Sequence, residues 1–471
     1  MNVSKRWRGS LAVAMVVLLS ACASQGDLKT QVSPWGADRL GLSADKPEAL
    51  KAEEAWWTRL GDPALDRLID QALRDNPSMQ SVAARLSRAQ AGLVQAGAAN
   101  KPQLQARAEA DRQHFTQHGA YPYPLAGATV NTGTLQLEGT WEIDLFGRHH
   151  DELQAALGQH KAAQADAQAA RVLLSSQVAR AHVQLARLLA QREVSNRALA
   201  QRQAVLALIR QRVQAGLDTL VEQRQGEGAL PDARQQIEAL DEQITLTRHQ
   251  LAALTAQPMA AMNALTPSWP ALTLQVLPEQ VPLNLLGQRA DVMAQRWRAE
   301  AAGAQSDAAR TLFYPNLNIG AYLGLNAIGL DRLFKSDSQQ WGLMPAIDLP
   351  LFDGDRRRAN LQGRLADQDA AVASYNQSVI DAVREVADQL ASAQSLARQG
   401  QEQVQAQTAA ESAYDVAVQR YKAGLGPYLT VLSAEAAVLA QQRLGVDLKA
   451  RSLDTRVALA RALGGHWPAQ P

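Results

Sequence analysis

The amino-acid sequence predicts a mainly α-helical protein that carries a membrane β-barrel and is written as two tandem repeats. Three observations predict it. First, Gln211-Arg212-Val213-Gln214-Ala215-Gly216-Leu217 recurs 208 residues later as Gln419-Arg420-Tyr421-Lys422-Ala423-Gly424-Leu425, with five of seven residues identical. Pro102-Gln103-Leu104 also recurs as Pro315-Asn316-Leu317, and Ile143-Asp144-Leu145 as Ile347-Asp348-Leu349, so one structural unit stands twice in the chain. Second, very long proline-free stretches lead into each repeated turn. Third, the hydrophobic pattern switches from helical spacing to strict alternation in two places per chain.

Composition sets bounds on function. The 471 residues carry 47 basic and 46 acidic side chains, a net charge of +1, so no global field draws the chain to nucleic acid. Aromatics are only 5 %, which suits long helices packed side by side better than a thick core. Cys22 is the single cysteine and excludes an intrachain disulfide or a multi-cysteine metal site.

In chain order, Lys5, Arg6 and Arg8 precede an apolar run from Leu11 to Leu19, too short to span a bilayer and followed by Leu19-Ser20-Ala21-Cys22. The pattern is that of a lipoprotein leader, with Cys22 the lipidated residue. The expected organisation is a signal peptide over 1–21, a surface segment over 22–62, a first repeat over 63–257, a proline-rich linker over 258–288, a second repeat over 289–466 and a tail over 467–471. Asp62-Pro63 caps a first helix, and a second runs from Pro77 to Ala99.

Period-2 alternation then predicts strands near 103–113 and 134–146, with a long loop from His114 to Gly133, and again near 316–326 and 340–350. From Thr134 to Leu145 the odd positions are apolar or Gly. The even positions include Gln136, Glu138, Glu142 and Asp144, which are expected to face water. Each strand has the length of a tilted membrane strand. All five phenylalanines, Phe115, Phe146, Phe313, Phe334 and Phe352, fall at strand ends, where interfacial belts would put them.

The helix from about His149 to Gln214 is expected to reach roughly 100 Å at 1.5 Å per residue, and Gly354 to Lys422 is similar. Gly216 and Gly424 should end them, in turns that need φ > 0. The second return helix carries a heptad stripe, Leu429, Leu432, Ala436, Leu439, Arg443, Val446, Ala450, Leu453, Val457 and Ala460, broken only by Arg443. In the first return helix, Gly226, Gly228 and Pro231 are expected to kink or interrupt.

An open sheet cannot span lipid, so four strands must close with other chains. Two chains would fill their own barrel, whereas three supply twelve strands and are the fewest that leave a polar lumen.

The chain resembles the TolC/OprM-like outer-membrane efflux family, in its NodT-type lipoprotein branch, over nearly the whole mature sequence. The residues that carry this are Cys22 in its lipobox, Trp56-Trp57 with Asp62-Pro63-Ala64-Leu65, Phe313-Tyr314-Pro315-Asn316, Leu351-Phe352-Asp353-Gly354 and the paired Ala-Gly-Leu turns. The resemblance implies a homotrimer with a twelve-stranded barrel in the outer membrane and an α-helical barrel reaching into the periplasm. It implies a periplasmic adaptor (membrane fusion) protein and an inner-membrane pump as partners, and export of drugs or small toxic compounds. It places adaptor docking at the tips (Arg212, Gly216, Leu217, Asp218, Arg420, Tyr421, Gly424, Leu425) and a periplasmic aperture at Glu222, Thr430 and Ser433. Two departures stand out. Arg289-Ala290-Asp291 replaces the usual Arg-Pro-Asp, and the second hairpin lacks an acid where Glu222 stands in the first.

No nucleophile–base set, phosphate loop, cofactor motif or metal constellation stands out. His149-His150-Asp151-Glu152 reads as a helix start rather than a metal site, and His114 with His118 as a solvated loop. Two alternatives remain at this stage: a duct for protein secretion, and a periplasmic coiled-coil lipoprotein that forms no channel.

Overall fold

A computed structural model describes residues 27–35, 55–267 and 289–465. Cys22 and the leader lie outside the described residues, as do most of the linker and the tail. Among the described residues the helices are α1 (Pro63–Asp75), α2 (Pro77–Ala99), α3 (Arg148–Gln214), α4 (Leu220–Thr255), α5 (Ala290–Thr311), α6 (Arg356–Lys422) and α7 (Tyr428–Ala462). The strands are β1 (Gln103–His114), β2 (Thr129–Ile143), β3 (Asn316–Ile328) and β4 (Gln339–Asp348). None of the described helices is long and apolar enough to cross a membrane.

The chain divides into two compact units. The first holds the four strands, ordered β1-β2-β3-β4 with every pair antiparallel. β2 begins at Thr129, five residues before its expected start, because Thr129 to Gly133 pair with His114 to Ala110 and extend the hairpin. Phe313 departs from the interfacial expectation. It is buried against Ala309, Leu361 and Leu365, with Leu28 on the same cluster and the Arg357 guanidinium over its ring. Phe146, Phe334 and Phe352 are exposed. Residues 27–35 run along α6, where the Asp369 carboxylate accepts the backbone N–H groups of Gln31 and Val32, and Asn376 donates to the Ser33 carbonyl.

The second unit packs Trp56, Trp57 and α1 against α3, α4 and α7. Asp62 caps α1 through the Ala64 N–H, and its other oxygen lies 2.8 Å from Nε2 of the buried His182. Burial works against the Asp62 carboxylate, but the bonds from His182 and the Ala64 amide outweigh it and hold the carboxyl below its usual value. Arg289 is buried and donates to Asp291, Glu385 and the Ala462 carbonyl, tying the start of α5 to α6 and α7.

Contrary to expectation, α4 runs unbroken through Pro231. Gly226 lies against Leu206 and Ile209 of α3, and Arg202 donates to the Ala229 carbonyl, so contacts with α3 hold the helix across the weak segment. The heptad stripe of α7 is buried at Ala450, Leu453, Val457 and Ala460, but nearer the tip the buried residues are Tyr428, Val431, Glu435 and Val438, one residue earlier. A straight helix drifts about 20° per heptad against a strict seven-residue repeat. Over the four heptads from Val457 to Leu429 that amounts to about 80°, close to the step of one residue. The stripe therefore rotates out of the seam because α7 does not supercoil to follow it. Arg443, the break in the stripe, donates to Gln236 on α4 and Ser195 on α3.

Candidate functional sites: the sheet faces and the hairpin tips

The register gives the sheet two unlike faces. Gln105, Gln136, Glu138, Tyr322, Asn326 and Gln340 share one face. Leu104, Leu135, Leu137, Trp141, Leu323, Trp341, Leu343 and Ile347 share the other, all of them exposed. An apolar face this large, left open to the surroundings, fits hydrocarbon and not water. Polar side chains on the opposite face bond to one another across strands. Gln105 donates to Glu138 at 2.7 Å, Gln340 to Gln136 at 2.8 Å and Asn326 to Thr134 at 2.9 Å.

Three of the residues expected to face water, Gln136, Glu138 and Glu142, stand on the polar face. Glu142 sits at its end, where Arg148 of the first turn of α3 donates to it at 2.5 Å. Asp144 is a correction. β2 ends at Ile143, and the Asp144 carboxylate accepts the His150 N–H at the start of α3, so it caps a helix instead of lining a strand. The carboxylate stands four residues before the helix and reaches forward to one of the first-turn N–H groups that have no partner within the helix. His149 lies between Glu142 and Glu152, and His114 bonds Thr129 across the hairpin.

The two turns are backbone copies. Gly216 N–H donates to the Val213 carbonyl at 3.0 Å and Leu217 N–H to that of Arg212 at 2.9 Å; Gly424 and Leu425 do the same to Tyr421 and Arg420 at 3.0 and 2.8 Å. This bond pair is a Schellman cap, and the glycines take φ of 72° and 74°. Leu217 and Leu425 are 66 % and 68 % exposed.

Side chains around the turns differ. Arg212 grips Asp218 with Nε–Oδ2 2.9 Å and Nη2–Oδ1 3.2 Å, the Tyr421 hydroxyl donates to the same Asp218, and the guanidinium lies over the Tyr421 ring. These three groups join one hairpin to the other and are largely withdrawn from solvent, a coupling between the turns that spacing does not reveal. Burial opposes the charge on Asp218, but the donors Arg212 and Tyr421 win and lower its pKa; burial and Asp218 together raise that of Tyr421. Arg420 is exposed and caps its own turn by donating to the Leu425 carbonyl. Glu222 is the third residue of a capping box with Thr219, whose hydrogen bonds lower the Glu222 pKa. At the second turn Pro427 takes the place of Thr219, with no side-chain cap, and the Ser433 hydroxyl bonds the Thr430 carbonyl.

A four-stranded sheet with one hydrocarbon-facing side, continued by two helical hairpins, defines a channel-forming membrane protein. The family model described as outer membrane efflux protein matches residues 68–257 and 281–465, and the chain belongs to that family. It is 30 % identical over 464 residues to the multidrug resistance outer membrane protein MdtQ of Escherichia coli O6:H1, covering 96 % of this chain and 97 % of that one. It is 35 % identical over 372 residues to the fusaric acid resistance protein FusA of Burkholderia cepacia, covering 75 % and 69 %. Among solved structures, the outer membrane protein VceC of Vibrio cholerae matches with a TM-score of 0.83 at 35 % identity, over 88 % of this chain and 99 % of that one. The outer-membrane channel OprN gives a TM-score of 0.83 at 27 % identity, over 95 % and 98 %.

Proposed function

We propose that the chain is the outer-membrane duct of a tripartite exporter for drugs or small toxic compounds. The observation that carries this is the two-faced sheet with free edges at β1 and β4. Free edges are not tolerated in lipid, and pairing β1 of one copy with β4 of the next removes them. Three copies give twelve strands, with the apolar faces outward and the polar faces around a lumen. Likeness to MdtQ and FusA, named for multidrug and fusaric acid resistance, supports small compounds over secreted proteins as cargo. The sheet counts against a coiled-coil lipoprotein without a channel. The proposed duct is passive and carries out no reaction.

Further parts of the reading follow from the tips and the leader. A periplasmic adaptor docks on the exposed turns, at Gly216, Leu217, Arg420, Gly424 and Leu425, and an inner-membrane pump supplies the cargo through it. Arg212, Asp218 and Tyr421 hold the two turns together beneath that surface. Glu222, Thr430 and Ser433 border the periplasmic aperture. Lipid on Cys22 adds a second attachment to the outer membrane.

Purified full-length protein tests the duct directly. Native mass measurement is expected to give three chains, and planar bilayers to show stepwise ion currents. A monomer that carries no current would overturn the proposal.

A further inference from the structure

We propose that the polar face of the sheet carries a transit site for amphipathic organic cations, centred on Glu138 and Tyr322. The inference rests on this face lining the duct. A cavity of about 390 Å³ opens on it, in the size range of sites for drug-sized molecules.

Its chemistry has two parts. The first is a fixed negative charge. Glu138 accepts a side-chain N–H from Gln105 on one oxygen and from Gln136 on the other, and Gln136 is in turn held by Gln340. These donors are neutral amides. The nearby cation, Arg107, pairs with Glu109 at 2.7 Å and acts on Glu138 only through its charge, without an ion pair to it among the described residues. A carboxylate held in this way keeps its charge and its direction, and retains lone pairs for a further donor.

The second part is an apolar platform beside that charge. The Tyr322 ring lies over Gly342, where an added Cβ would meet ring carbons at 2.5 and 2.7 Å and the hydroxyl at 2.9 Å. Glycine at 342 is what allows the ring to lie along the sheet. Gly320 lies beside Tyr322 on the same strand face and adds no side chain to the cavity floor, and Met344 supplies a thioether at the cavity wall. An aromatic face, a thioether and an unpaired carboxylate recognise a cationic head on an aromatic or aliphatic body. A neutral compound would gain only the platform, and an anion would be repelled.

The test uses full-length protein in planar bilayers, with benzyltriethylammonium as the cation and benzenesulfonate as its anionic counterpart. Wild type is expected to show concentration-dependent current block by the cation and none by the anion. Glu138→Gln and Tyr322→Leu should each raise the half-blocking concentration at least fivefold, and Gly342→Ala, which lifts the ring, should do likewise. Equal block of wild type and all three variants, or equal block by cation and anion, overturns the site while currents still attest the duct. A wild type that conducts without any block by the cation also overturns it. Absence of current in the wild type would instead sink the duct itself.

Discussion

Arg202 on α3 and Glu435 on α7 form an ion pair with Nε–Oε1 at 3.0 Å, with side chains only 14 % and 8 % exposed. It belongs to a ladder between the same two helices, in which Arg180 pairs with Asp454 and Arg187 with Asp447, both more open to solvent. Removing one partner of a buried pair leaves the other charge stranded, whereas an exposed pair contributes little. Glu435→Ala leaves Arg202 the Ala229 carbonyl and Asp232 at 3.7 Å, and is therefore expected to destabilise the protein by about 2 kcal/mol. Asp454→Ala should cost under about 1 kcal/mol. Replacing both Arg202 and Glu435 with apolar residues should recover most of the loss. Urea unfolding in detergent, followed by circular dichroism, measures all three; equal effects at the two rungs would contradict the assignment.

The Asp218 contacts give the tips a pH limit. The Asp218 pKa is lowered in the folded chain, so its contribution is present above the unfolded value and is lost as pH falls through the folded one. With an unfolded value of about 3.9, the tips should stay joined from pH 8 to pH 5 and loosen only below about pH 4. Hydrogen exchange over residues 211–222, corrected for intrinsic rates, should rise in that lower range. Asp218→Asn should show the loosened exchange at neutral pH. A rise centred near pH 6.5 would implicate another group.

Gly216 and Gly424 sit in open space, with nothing within 4 Å of an added Cβ, so the only penalty for a side chain there is the left-handed backbone. Valine should cost roughly 1–2 kcal/mol at either turn, and asparagine, which visits this conformation, much less. The valine variants are expected to assemble normally yet lower drug resistance in cells, with asparagine restoring it. Full resistance in both valine variants at normal protein levels would remove the turns from the docking surface.

Leu137 and Gln136 are neighbours on β2 with side chains on opposite faces. Arginine at Leu137 would enter hydrocarbon at about 2–4 kcal/mol per chain, and at Gln136 it would face water. Gels of unheated samples should show that Leu137→Arg loses the assembled species and Gln136→Arg keeps it with altered conductance. The reverse order would mean that the faces are exchanged.

Cys22 is expected to carry lipid. Cys22→Ser should abolish labelling by radioactive palmitate and leave the leader uncleaved. One lipid chain binds membranes only marginally, so assembled protein should remain in the membrane fraction of this variant. Undiminished labelling would exclude the site.

Much of this fold was legible because the signals were local and repeated. Pro77 and Pro102 bracket α2, and the glycine turns mark the ends of α3 and α6 at Gln214 and Lys422. Alternation in β2 revealed both faces of the sheet, since a strand shows its surroundings every second residue. What escaped depended on side-chain partners that periodicity does not reveal, some distant in sequence and some a few residues on. Phe313 looks like a belt residue until Leu361 and Leu28 cover it. Arg212 looks like a docking residue until Asp218 and Tyr421 surround it. Asp144 continues the alternation in sequence, yet its carboxylate serves the helix that follows.

The two turns share a backbone but differ at their flanks: Val213 corresponds to Tyr421, and Asp218 to Gly426. In a ring of three chains the turn backbone then recurs six times, whereas the Asp218–Tyr421 contact recurs three times at about 120°. A partner that reads only the turn geometry meets six equivalent seats. One that reads the flanks meets three. The number of partner subunits bound per ring thus reports which of the two surfaces is recognised.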